Sequence, residues 1–129
     1  MTENISIEQQ DYIEGLLNNS RQELLDTLGL EIQKGALFSD ETGNIEVGKG
    51  WFRKNKAKIA ELICPMPFVR EYMDSPSKER QIGLIATIAD IISQQWLNIP
   101  VFVVAVLIVK EGLHHLCEGH DVSKQISAS

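Results

Sequence analysis

The sequence predicts an all-α fold: a compact bundle of four to five helices with an irregular or β-hairpin insert near residues 36–50. Three observations carry this expectation. Apolar residues recur at intervals of three and four through most of the chain. Capping signals of the Ser-x-x-Gln or Ser-x-x-Glu kind stand in front of two of those stretches. The prolines, at 65, 67, 76 and 100, fall between the periodic stretches and not inside them.

The elements follow in order. Ser6-Ile7-Glu8-Gln9 is a capping box, and Ile7, Tyr12, Ile13, Leu16 and Leu17 follow at helical spacing. Asn18-Asn19-Ser20 interrupts. A second box, Ser20-Arg21-Gln22-Glu23, opens a stripe of Leu24, Leu25, Leu28 and Ile32 that runs to about Lys34, where Gly35 is a fitting stop. This is one bent helix or two short ones. Residues 35–50 are polar and punctuated by Gly35, Gly43, Gly48 and Gly50. Leu37-Phe38 and Ile45-Val47 flank Thr42-Gly43-Asn44, which is the pattern of a small hairpin leaning on helices.

From Trp51 a helix is expected to about Cys64, with Trp51, Phe52, Ile59, Leu62 and Ile63 on one face and Pro65 and Pro67 at its end. Residues 68–73 read as a short turn of helix. Ser75 as N-cap and Pro76 at the first helical position start the next helix, which reaches Trp96. Its polar stripe is narrow, comprising Gly83, Thr87, Asp90 and Gln94, so this helix is expected to be mostly buried. Asn98-Ile99-Pro100 opens the last helix. The β-branched run over 101–109 makes a strand the competing reading. The continuous stripe Phe102, Val106, Val109, Leu113 and Leu116 decides for a helix, with Gly119 as its stop.

The 129 residues are expected to form a single domain, with 1–5 and 120–129 as flexible ends. The net charge of −6 argues against generic nucleic-acid binding, which favours a basic domain. Nine Gly, two Cys and 43% apolar residues exclude collagen, a disulfide scaffold and low-complexity disorder. The first residues lack a basic and an apolar leader region, and the longest apolar run, 99–109, falls short of the roughly 20 residues of a spanning helix. A cytoplasmic protein without a transmembrane segment is expected. Cys64 and Cys117 are one pair that could form a disulfide, but in that compartment reduced thiols are expected.

Several residue groups bear on chemistry. Residues 43–49 match the first seven positions of a phosphate loop, but Gly50 stands where a Mg²⁺-binding hydroxyl is needed and no buried strand precedes. Residues 40–46 fail the calcium-loop pattern. His114, Cys117 and His120 offer imidazole and thiolate ligands for a metal, though no second ligand pair has zinc-finger spacing. The plainer reading of His114 and His120 is complementarity to a helix C-terminus, and of Cys117 a small apolar core residue. Lys49, Arg53, Lys54, Lys56 and Lys58 concentrate positive charge beside Trp51 and Phe52. They suit an anion, an acidic protein or an anionic membrane surface, or else form a solvated helix face. Asp90 inside an apolar helix is an acid–base candidate, or lies on the one exposed stripe. Cys64, without a nearby base, reads as core.

On the last helix, Val103, Val104, Leu107 and Ile108 continue the polar face of Lys110, Glu111, His114 and Glu118 in apolar form. Either the N-terminal helices cover this strip or a partner does. The functional expectation takes the second: a small protein-interaction module that binds a protein partner or a second copy of itself through those four residues, with no cofactor. No catalytic set assembles, so a non-enzymatic role is favoured. The alternatives are a ligand-binding, metal-binding or enzymatic helical domain using Asp90 or the residues from His114 to His120, and binding to an anionic or membrane surface through residues 49–58.

Overall fold

The structure is a computed structural model that describes residues 6–34 and 43–118. Among these residues the chain forms seven α-helices and no strand. They are α1 (Ile7–Leu17), α2 (Arg21–Lys34), α3 (Asn44–Ile63), α4 (Pro67–Asp74), α5 (Lys78–Gln95), α6 (Val101–Glu111) and α7 (Leu113–Cys117). The all-α expectation holds. The helix count is higher than four to five because the first periodic stretch is two helices and the last helix breaks at Gly112.

The capping signals act as read. The Ser6 hydroxyl accepts from the Gln9 N–H at 3.1 Å. At the second box both arms close: the Glu23 N–H donates to Ser20 Oγ at 3.1 Å, and the Ser20 N–H donates to Glu23 Oε1 at 2.7 Å. The start of α5 is corrected by two residues. Ser77, not Ser75, is the N-cap, since its backbone is extended and its hydroxyl accepts from the Arg80 N–H. Ser75 instead closes α4.

The insert is also corrected. Leu37 and Phe38 lie outside the described residues, but Ile45-Val47, the second arm of the expected hairpin, is the first turn of α3. Gly43 is the N-cap of that helix, so residues 43–49 form no phosphate loop. Gly48 has a different task. α2 and α3 run antiparallel and cross backbone to backbone. A Cβ on Gly29 would stand 1.8 Å from the Asn44 carbonyl oxygen, and one on Gly48 2.3 Å from that of Leu25. Only glycine admits this approach.

α6 is the centre of the molecule. It touches α1, α2, α5 and α7, and its residues 103–108 are buried without interruption. A helix apolar on every side is stable only when surrounded. The apolar strip is therefore corrected from a partner surface to core: Val103, Val104, Leu107 and Ile108 are each at most 1% exposed. The helices packed on α6 are α5 and the N-terminal pair α1 and α2. The polar residues in line with the strip reach that pair, since Lys110 Nζ donates to the Leu17 carbonyl at 3.0 Å and Glu111 pairs with Arg21. No polar or charged residue among those described is buried.

Candidate anion-binding site

The step that brings Gly29 to Asn44 and Leu25 to Gly48 is four residues on each helix. Another such step carries Arg21 on α2 level with Phe52 on α3, where the two helices meet the end of α6. A cavity of about 320 Å³ opens there. Arg21 lines it from α2, Lys49, Phe52, Arg53 and Lys56 from α3, Ile108 and Glu111 from α6, and His115 and Leu116 from α7. Its size is at the small end of the range for small-molecule sites, about 300–1,000 Å³.

Helical geometry sorts the basic segment. Lys49, Arg53 and Lys56 are spaced four and three apart and share the stripe of α3 that faces the cavity. Lys54 and Lys58 are exposed on other faces and do not line it. Around the cavity four permanent cations meet a single carboxylate, that of Glu111. Glu111 is engaged by Arg21. Lys49 has a long contact of 3.7 Å with Glu46. Among the described residues Arg53 and Lys56 have no carboxylate partner. The result is a local excess of positive charge in a chain whose net charge is −6. Apart from His115, the remaining lining is apolar: Phe52, Ile108 and Leu116.

Of this set the sequence singled out Lys49, Arg53 and Lys56. It did not point to Arg21, Glu111 or His115 as their neighbours. Arg21 and Glu111 are 90 residues apart and nothing local in either stretch announces the pairing.

The other candidates separate. Cys64, at the C-cap of α3, and Cys117, in α7, form a disulfide with Cα atoms 5.5 Å apart. This corrects the expectation of reduced thiols. It also corrects the metal reading, because a disulfide sulfur is not a thiolate ligand. His114 is exposed, His120 lies outside the described residues, and no group of three potential ligands is assembled among those described. Asp90 is exposed on its stripe, as the plainer reading had it. On the same stripe the Thr87 hydroxyl is spent on the Gly83 carbonyl at 2.9 Å. Trp51 is half-buried edge-on against Trp96, with ring centroids 5.6 Å apart, and Phe52 is half-buried against the core. Neither ring projects freely as a membrane anchor. A second, wider concavity lies between α1, α4 and α5, but there Glu14, Glu71 and Glu79 are mixed with Lys78 and Arg80, so it has no charge preference.

No helix among the described residues is long and apolar enough to cross a membrane. No known family model, curated protein or solved structure matches the chain, so its function rests on the chemistry of the site.

Proposed function

We propose that the protein is a small binding module for an anion that carries a compact apolar body, such as an aromatic or short alkyl phosphate or carboxylate. The observation that carries this reading is the convergence of Arg21, Lys49, Arg53 and Lys56 on one cavity whose apolar lining is the part-exposed Phe52 ring, with Ile108 and Leu116 buried behind it. Guanidinium groups bind phosphate and carboxylate through paired N–H donors, and ammonium groups add charge without fixed geometry. The part-exposed Phe52 ring gives an organic anion an advantage over a bare inorganic one. This reading takes up the anion-binding alternative of the sequence. The interaction reading through Val103, Val104, Leu107 and Ile108 is not carried forward, because those residues are spent on the core.

The test is calorimetric titration with inorganic phosphate and with phenyl phosphate, at low salt and at 0.3 M salt. Phenyl phosphate is expected to bind more tightly than phosphate, and both to weaken as salt screens the cations. The double variant Arg53→Gln/Lys56→Gln is expected to lose binding by roughly tenfold or more. Absence of heat with either ligand, or unchanged affinity in the double variant, removes the proposal.

A further inference from the structure

The α7 wall of the cavity hangs between two fixed points. At its start Gly112 has φ 103 and ψ 119, a backbone conformation reserved for glycine. At its end Cys117 is bonded to Cys64, the residue that caps α3. His115 and Leu116 line the cavity from between these points. α7 has only five residues, too few for a helix to persist without support. One covalent bond thus joins the helix that carries Lys49, Arg53 and Lys56 to the segment that brings His115 and Leu116 to the cavity.

We propose that the Cys64–Cys117 bond is a redox switch on the anion site, with the α7 wall held in place when the bond is made and released when it is reduced. The proposal rests on the anion-binding reading of the cavity. The reductant is a dithiol. Its thiolate attacks Sγ of Cys117, which belongs to the more accessible half of the pair, at 8% exposure against 1% for Cys64. The bond between the two sulfurs breaks, and Cys64 leaves as a thiolate that takes up a proton. The second thiol of the reductant then displaces Cys117 from the mixed disulfide. Two electrons pass to the protein, which ends with two cysteine thiols, and the reductant ends as a cyclic disulfide. The chain has no other cysteine to compete for either sulfur. Leu113 and Leu116 are both buried and still hold α7 to the core after reduction, so what is released is the covalent tie of its Cys117 end to α3, and the wall that carries the exposed His115 loosens.

The experiment compares phenyl phosphate affinity in three samples of the full chain: oxidised, reduced with dithiothreitol, and Cys117→Ser. Thiols are counted in each, and amide hydrogen exchange is followed in α7 and α5. The oxidised chain is expected to bind at least fivefold more tightly than the other two. On reduction, exchange over 113–117 should quicken while the core of α5 keeps its protection. Equal affinity in oxidised chain and in reduced chain with two thiols counted overturns the switch and leaves the anion site standing. Failure of the folded chain to release any thiol to dithiothreitol also overturns it. Absence of binding in the oxidised chain overturns the site, and the switch with it. If Cys117→Ser does not fold, the reduced native chain carries the comparison.

Discussion

Gly48 of α3 lies so close to Leu25 of α2 that a Cβ atom on Gly48 would stand 2.3 Å from the Leu25 carbonyl oxygen. The contact is with backbone, which cannot rotate aside as a side chain can. Gly48→Ala therefore forces the two helices apart and is expected to cost about 2–3 kcal/mol of stability. Gly50, two residues on in the same helix, has open space where its Cβ would be. Gly50→Ala is expected to stabilise by about 0.5–1 kcal/mol, the ordinary helical preference for alanine. Urea denaturation of the two variants reads both signs. A Gly48→Ala variant as stable as the native chain would remove the close crossing, and with it the alignment that places Arg21 beside Phe52.

This crossing marks the boundary of what the sequence discloses. Periodicity and capping found the helices, because Ser20 and Glu23 or the stripe of Leu24, Leu25 and Leu28 act within a few residues of each other. The glycines at 43–50 misled, since a helix that needs close approach and a loop that needs turns ask for the same residue. Ile45-Val47 has strand-like composition, yet it joins the helix that pairs with α2. The break at Gly112 was hidden by an apolar stripe that continues across it, because Leu113 and Leu116 return to the same core after the bend. Of the cavity, the sequence disclosed its α3 stripe alone. Arg21, Glu111, His115 and the Cys64–Cys117 bond depend on chain segments brought together by the whole fold.

Leu107 is 1% exposed at the centre of the bundle. Leu107→Glu places a carboxylate among apolar side chains with no buried polar or charged residue nearby to receive it. The cost is expected to be on the order of 4 kcal/mol or more, a large share of the 5–15 kcal/mol that holds a typical domain. Circular dichroism should show loss of helix or a sharply lowered melting temperature. A Leu107→Glu chain with native helicity and native melting would return this face to the surface and revive it as a docking strip.

The disulfide spans 53 residues of chain and ties the end of α3 to α7. Removing both sulfurs in Cys64→Ala/Cys117→Ala restores the freedom of that loop in the unfolded chain and is expected to cost about 2–4 kcal/mol. Urea denaturation under non-reducing conditions measures the difference. In the presence of reductant the native chain should approach the double variant. Equal stability of native and variant chains without reductant would mean that the two sulfurs are not joined in solution.

Glu111 gives the sharpest test of the charge argument. It contributes the single carboxylate of the cavity lining and is paired with Arg21. Glu111→Gln leaves the four cations with no carboxylate in the cavity lining and frees the Arg21 guanidinium for a ligand. Removing a negative charge within several ångströms of a bound anion is worth about 1 kcal/mol at the dielectric of a protein surface, roughly a fivefold gain in affinity. The lost ion pair is partly exposed, so its removal should lower stability by about 1 kcal/mol or less. Arg53→Gln/Lys56→Gln works in the opposite direction. If the cavity bound its ligand by shape alone, Glu111→Gln would weaken binding or leave it unchanged, since it gives up a fixed contact in the wall. A gain in Glu111→Gln beside a loss in the α3 variant, with both differences shrinking at high salt, is the pattern that electrostatic recognition requires.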